Sequence, residues 1–434
     1  MAENFLYVCA YRCRVTLRPS LPKKTAMQLV CRLTAATLAA VLLSSSAHAA
    51  NPVAPPAGDT AAALASDQPV GQLAPVFLFH NQMPTGLTVT SQGRRFVSYP
   101  RWGDHPAYTV AELKNGKEVP YPSEAFNTLD IQHPAQHLVS VQSVVAPGDG
   151  HVWLLDTGTL PGQGYDAVGQ LTNGPKLVSV NLGTNKVDRT IVIPDNAALK
   201  SSYLNDVRFD FSRGKAGIAY ITDSSFTGPG AIIVVDIASG DAWRKLSGAA
   251  STSAEAGFRP VVEGRHMMMD TGHDQATPSV PAIPADGIAL SPDGSTLYYS
   301  ALSGRTLYSV PTARLRDRQA SEPDVEAAVK NMGEKAPSDG LLMDASGRLY
   351  ATDYEHNAIQ VLDTHTGRWS TLVHDSRLLW PDTLSIGPDG DLYVTANQLH
   401  RQPQYRGGHD DRVKPYGVFR IAADAKAIAA DHGH

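Results

Sequence analysis

Six times along this chain one short phrase returns: an apolar run, a turn centred on glycine, then a second apolar run rich in Tyr, Val and Leu. The turns are Gln92-Gly93, Asp149-Gly150, Arg213-Gly214, Asp293-Gly294, Ser346-Gly347 and Asp389-Gly390. Glycine there permits the positive φ that tight hairpins need, so each copy predicts a β-hairpin. A unit of this kind cannot bury its faces alone and must stack on its neighbours. Successive copies lie about 45 to 80 residues apart. A four-stranded blade takes ~40–50 residues, so the excess is insertion. The expected fold is all-β, a six-bladed β-propeller over residues 73–421.

Three segments read as insertions: 103–127, 160–174 and 247–284. Outer strands are expected at 176–180, 231–236, 306–310, 358–362 and 417–421. Val76-Phe77-Leu78-Phe79 is expected to join the last blade and close the ring, which removes free sheet edges. Helical pattern is scarce. One short helix is expected at 323–330 between blades 4 and 5, with Pro323 in its first turn, where the missing N–H costs nothing.

The N-terminal 50 residues read as a leader. Lys23, Lys24 and Arg32 precede an apolar stretch over 33–43, which ends in Ala47-His48-Ala49-Ala50. That is a charged segment, an apolar core and an Ala-x-Ala cleavage pattern. The stretch is short of the ~20 residues that span a bilayer. The bland alternative is a retained membrane anchor. The pattern favours Met27 as the true start, and cleavage places the mature chain in a periplasm or outside the cell, with no membrane attachment. Residues 51–72 read as a flexible linker and 422–434 as a disordered tail.

Cys9, Cys13 and Cys31 all lie in the leader, so the mature chain has no disulfide, thiol nucleophile or thiolate metal site. Removing the six basic residues and one acidic residue of the leader leaves 31 basic against 41 acidic, a net charge of −10. With no basic stripe, nucleic acid is not an expected partner. No nucleophile elbow, phosphate loop, dinucleotide fingerprint or His-Glu-x-x-His motif occurs, which sets aside serine hydrolase, NTPase and zincin chemistry.

Several motifs resemble the yellow / major royal jelly protein family. They are Pro84-Thr85-Gly86 with 96–102 (Phe-Val-Ser-Tyr-Pro-Arg-Trp), 152–158 (Val-Trp-Leu-Leu-Asp-Thr-Gly) with 174–178, 204–210 (Leu-Asn-Asp-Val-Arg-Phe-Asp), and Ser338-Asp339-Gly340. The likeness runs from about 75 to 421. It implies a secreted six-bladed propeller. The family includes dopachrome-converting enzymes, amine-binding proteins and nutritive proteins, so the resemblance leaves the function to the site. A more distant likeness is to gluconolactonase-type propellers, which hold a divalent cation at the channel. It implies Asn205, Asp286 and Asp339 as metal ligands, with Thr85 standing where that family has a Glu.

The residues that open the innermost strands crowd one mouth of the channel. By repeat register they are Thr85, Gln142, Asn205, Asp206, Asp286, Asp339 and Asp382. Oxygen-only donors suit a hard cation such as Ca²⁺ or another divalent ion and argue against zinc. The same acids could instead clamp a protonated amine beside stacked rings. Taken singly, each Asp before Gly has a bland alternative, capping its own turn.

Asp339 and Asp286 are the catalytic candidates, with His356 as a general base from a loop in blade 5. Its bland alternative is an exposed loop histidine. Asn205, Asp206, Asp382, Arg101 and Trp102 are the ligand-binding candidates. His400 occupies the loop in blade 6 that corresponds to that of His356. His273-Asp274 and His409-Asp410 read as solvated loops, and Met267-Met268-Met269 as a lid or an anchor. Three readings stay open. The first is a small-molecule binder, for a ring compound or an amine, with an isomerase activity of the dopachrome-conversion kind. The others are a cation-dependent lactonase and a non-catalytic binding or structural protein.

Overall fold

The computed structural model describes residues 67–102, 104–161, 168–270 and 277–428. The leader, the linker up to 66, His273-Asp274 and residues 429–434 lie outside them. The fold is the expected six-bladed β-propeller, built from six four-stranded antiparallel sheets. Blade 1 is Leu87–Val89, Arg95–Ser98, Val110–Lys114 and Lys117–Pro120. Blade 2 is Val141–Val145, His151–Asp156, Lys176–Asn181 and Lys186–Val192. Blade 3 is Leu204–Asp210, Ile218–Asp223, Ala231–Asp236 and Ala242–Lys245. Blade 4 is Ala285–Leu290, Thr296–Ala301, Thr306–Pro311 and Lys330–Glu334. Blade 5 is Leu341–Met343, Arg348–Asp353, Ala358–Asp363 and Arg368–His374. Blade 6 is Pro381–Ile386, Leu392–Ala396 and Tyr416–Ile421, with Leu73–Phe79 pairing onto Tyr416–Ile421 as its fourth strand. The first strand of the fold therefore completes the last blade.

The six turn glycines, Gly93, Gly150, Gly214, Gly294, Gly347 and Gly390, all have positive φ, between 67° and 84°. That is the conformation for which the repeat retains glycine. Between each pair of adjacent blades sits an apolar cluster. Leu155, Leu177 and Ile221 belong to the one between blades 2 and 3, and Val394, Ile359 and Tyr350 to the one between blades 5 and 6. Full burial of such aliphatic side chains contributes about 1.5–3 kcal/mol each, so the ring is held at its blade interfaces.

The innermost strands are irregular where they begin. In blades 2, 3, 4 and 6 the pairing with the second strand slips at Gln142, Asn205-Asp206, Asp286-Gly287 and Asp382-Thr383. Such bulges re-aim a side chain away from the ladder. Glycine follows the acid for room at the axis. A Cβ on Gly287 would stand 2.5 Å from the Asp339 carbonyl oxygen, and one on Gly340 would stand 2.2 Å from that of Asp382.

Several sequence expectations shift. The runs expected as outer strands are the third strands of their blades; a fourth, more polar strand follows or, in blade 6, comes from the N-terminal side. Segment 103–127 is not wholly insertion, because it holds the two outer strands of blade 1. The helix is Glu322–Glu326, capped by Ser321, and it lies within blade 4 ahead of that blade's last strand. Residues 422–428 are tied down, contrary to a disordered tail over that stretch. The Ala425 N–H donates to the Gly390 carbonyl at 2.7 Å, the Ala345 N–H to that of Lys426 at 2.8 Å, and Arg348 to that of Asp424 at 2.6 Å.

Candidate functional site

At the mouth where the innermost strands begin lies a cavity of about 620 Å³. Asp286 and Asp339 line it, with Asn205, Gln142 and Ser224 beside them. The Asp286 and Asp339 carboxyls lie within hydrogen-bonding reach of each other. Asp286 Oδ2 also accepts from the Asn205 amide and, at 3.1 Å, from Ser224 Oγ. Asp339 Oδ2 accepts from Trp380 Nε1 at 2.7 Å. Burial pushes both carboxyls well above the usual range. The charge of Asp382 adds to this at Asp286, and the charge of Asp286 adds to it at Asp339. Two carboxyls this close and this desolvated share a proton rather than ionise together.

The cavity walls are aromatic. Trp102 donates through Nε1 to the Tyr203 hydroxyl, which itself donates to Gln142 Oε1 at 2.8 Å. Phe226 stands edge-on to Tyr203 at 5.8 Å and is half exposed. Behind Asp339, Trp380 stacks on Tyr354 at 4.3 Å, and His400 stacks on its other side at 5.8 Å.

The 247–284 insertion reaches this mouth. Its hairpin, Val261–Val262 with Arg265–His266, is clamped by Glu263, whose carboxylate receives His400 Nε2 at 2.9 Å, Arg401 Nε at 3.0 Å and Arg406 Nη2 at 3.2 Å. The hydrogen bond from Arg401 holds the Glu263 carboxyl down to about 2, and burial pushes the His400 imidazole down to about 4. Past the hairpin, the Asp270 N–H donates to the Gln404 carbonyl at 2.7 Å, and Met269 and Asp270 line the cavity. Met267 is buried, as an anchor would be, Met268 is exposed and Met269 lines the cavity.

The predicted residues do not all meet. Arg101 and Trp102 line the cavity with Asn205, Asp286 and Asp339. Asp382 is buried beside them but lies off the cavity, held by Asn397 Nδ2 at 2.7 Å and Thr383 Oγ1 at 3.0 Å. Thr85 packs between blades 1 and 2 against Ser98. His356 is elsewhere. It lies on the turn after the second strand of blade 5, its side chain 65% exposed, its Nδ1 3.0 Å from Asp353. It does not line the cavity.

Asp206 faces the opposite mouth, a separate cavity of about 1000 Å³ that shares no lining residue with the first. Arg208, which the sequence reading missed, lines that second cavity. It is the only cation on the six innermost strands. Its guanidinium donates to Asp206 Oδ1 at 2.9 Å and, across the axis, to the Leu341 carbonyl of blade 5 at 2.7 Å. Tyr203, Phe226, Trp380 and Tyr405 were missed as well. They come from connections outside the repeat, where no register marks them.

The expected metal ligands bond one another. Asn205 presents N–H, not oxygen, to Asp286, and Asp286 and Asp339 lie within hydrogen-bonding reach of each other. Among the described residues no three His, Cys, Asp or Glu side chains form a group able to hold a metal ion.

The profile of the major royal jelly protein family matches residues 139–420, about two thirds of the chain. The chain belongs to the major royal jelly protein family. The match takes in blades 2 to 6, including both sides of the Asp286–Asp339 pair. No curated protein matches the chain in sequence. Among solved structures it is similar to a luciferin-regenerating enzyme (TM-score 0.50, 12% identity, covering 84% of this chain and 98% of that one). It is also similar to a calcium-binding regucalcin from Agrobacterium tumefaciens (TM-score 0.48, 15% identity, 83% and 96%) and to a gluconolactonase from Xanthomonas campestris (TM-score 0.46, 10% identity, 81% and 90%). At such identities the likeness concerns the fold alone. For this royal jelly family member the chemistry has to be argued from the channel mouth.

Proposed function

We propose that the mature chain is an exported binding protein for a small ring compound, held at this channel mouth, and that the Asp286–Asp339 pair moves a proton on it. The reaction class is isomerisation, of the dopachrome-conversion kind. One observation carries the reading. Two carboxyls within hydrogen-bonding reach of each other, both pushed well up by burial, line a cavity walled by Trp102, Tyr203 and Phe226. A pair with one shared proton offers a base and an acid within the same few ångströms, which is what moving a proton between two atoms of one ligand requires. The rings offer flat faces to a planar ligand. The cavity falls in the ~300–1,000 Å³ range typical of small-molecule sites.

The test uses the mature protein against a panel of lactones, catechols, cyclic ketones and amines. Binding is read as a thermal shift and turnover by absorbance. Asp339→Asn keeps an acceptor for Trp380 but removes the shared proton. It is expected to retain the thermal shift while losing about 10²–10⁴ in rate, and turnover by the parent is expected to survive a chelator. A panel with no shift overturns the binding reading. Loss of activity with chelator moves the reaction to cation-dependent ring opening, the alternative kept by the convergence of Asn205, Asp286 and Asp339.

A further inference from the structure

We propose that Tyr405 is a catalytic residue of this site, its hydroxyl donating to a carbonyl oxygen of the bound ring while the ionised carboxyl of the Asp286–Asp339 pair takes a proton from the neighbouring carbon. The proposal rests on the proton-transfer reading above and narrows the substrate to cyclic ketones and enones with a hydrogen next to the carbonyl.

Tyr405 ends the short turn Pro403–Tyr405, in the connection between the second and third strands of blade 6. Its N–H donates to the Gln402 carbonyl at 3.0 Å, which fixes the turn. Its ring packs on the apolar cluster of Trp380, Tyr354, Leu399 and Ile283 and lines the same cavity as the two carboxyls. Three tyrosines stand in or under this cavity, and two have spent their hydroxyls. Tyr203 is bonded to Gln142 and Trp102, and Tyr354 donates to the Leu302 carbonyl at 2.7 Å. Among the described residues the Tyr405 hydroxyl has no hydrogen-bond partner. Burial raises the phenol, and after burial the largest causes are the charges of Asp339 and Asp286, so its oxygen lies within their field. It therefore stays protonated and a donor.

A phenol donor that shares one cavity with a carboxylate base is an arrangement that stabilises charge developing on a carbonyl oxygen. The step balances without a co-reactant. The C–H bond breaks and its proton goes to the carboxylate. The electron pair forms a C=C bond as the carbonyl π pair moves onto oxygen, where the Tyr405 O–H holds it. Return of the proton to the far end of a conjugated system regenerates the pair and gives an isomer, whereas return to the same carbon gives back the ketone and shows only as hydrogen exchange.

The test uses 2-tetralone as substrate probe, 2-naphthol as a mimic of its enolate and naphthalene as a ring without oxygen. Protein-catalysed exchange of the 2-tetralone α-hydrogens for deuterium is followed by NMR, and binding of the two aromatics by fluorescence. Tyr405→Phe is expected to slow exchange at least about 100-fold. It should weaken 2-naphthol at least ~10-fold and leave naphthalene affinity and melting temperature unchanged. Unchanged exchange and 2-naphthol affinity in Tyr405→Phe, with exchange lost in Asp339→Asn, overturns the role of Tyr405 alone. No exchange and no binding by the parent protein overturns both this proposal and the proton-transfer reading.

Discussion

The side chains that carry the site are ordinary residues in costly places. Asp286 and Asp339 were legible because each opens a repeat. Their pairing was not, since it depends on two bulged strand ends meeting across a closed ring. Tyr405 was not legible at all, because nothing in the repeat marks residues between strands. Lys335 has a similar history. It lies close to Asp339 in sequence, is buried, and donates from Nζ to Ser338 Oγ at 2.6 Å and to the Ala336 carbonyl at 3.0 Å. Burial pushes its ammonium down to about 7, against the opposing pull of Asp353. Unfolded, it titrates near ~10.4. Between those values the unfolded chain holds more protons than the folded one, so stability rises with pH. The cost of the buried charge is present in full below about pH 7 and is gone above ~10.4. Relative to Lys335→Met, the parent is expected to gain up to about 1.4 kcal/mol per pH unit between pH 7.5 and 10. Urea unfolding across that range measures it, and parallel curves for the two proteins would refute it.

At the scale of the strand and turn, the repeat supplies two kinds of glycine that look alike in sequence. Those in the hairpin turns are there for positive φ. Gly287 and Gly340 are there because neighbouring innermost strands leave no room for a Cβ. The hydrophobic pattern announced the first kind and was silent on the second, since close approach at an axis is a property of the closed ring. The distinction has a measurable consequence. In Gly340→Ala the new methyl faces a backbone oxygen that cannot rotate away, so the strand shifts and takes Asp339 with it. The expected cost is about 1–3 kcal/mol, with weakened ligand-induced thermal shifts. Gly183→Ala meets only Asn181 Oδ1, at 3.3 Å, and should be close to neutral. Chemical denaturation of the two variants compares them directly, and equal costs would remove the steric argument.

For the molecule as a whole, the ring is shut by one strand. Phe79 is fully buried in the cluster between blades 6 and 1, and Leu73–Phe79 covers the edge of Tyr416–Ile421. This much was readable in the sequence, because Val76–Phe79 is an apolar strand left over once six hairpins are assigned. The insertions were readable only as surplus length. That one of them bends over the mouth and is clamped through Glu263 depends on pairings with His400, Arg401 and Arg406 that no spacing encodes. A chain beginning at residue 80 loses the closing strand, with Phe79 alone worth about 1.5–3 kcal/mol, and bares an edge that recruits other chains. It should melt several degrees lower and aggregate in proportion to concentration, as light scattering during a melt would record; an unchanged melt would show that the ring does not depend on its clasp. Arg208 gives the ring a further property. Its guanidinium ties Asp206 of blade 3 to the Leu341 carbonyl of blade 5, so two blades that are not neighbours in the ring are joined through one side chain on the wall of the second cavity. Blades 3 and 5 are thereby kept in step, so a shift of one innermost strand is passed to another two places round the ring.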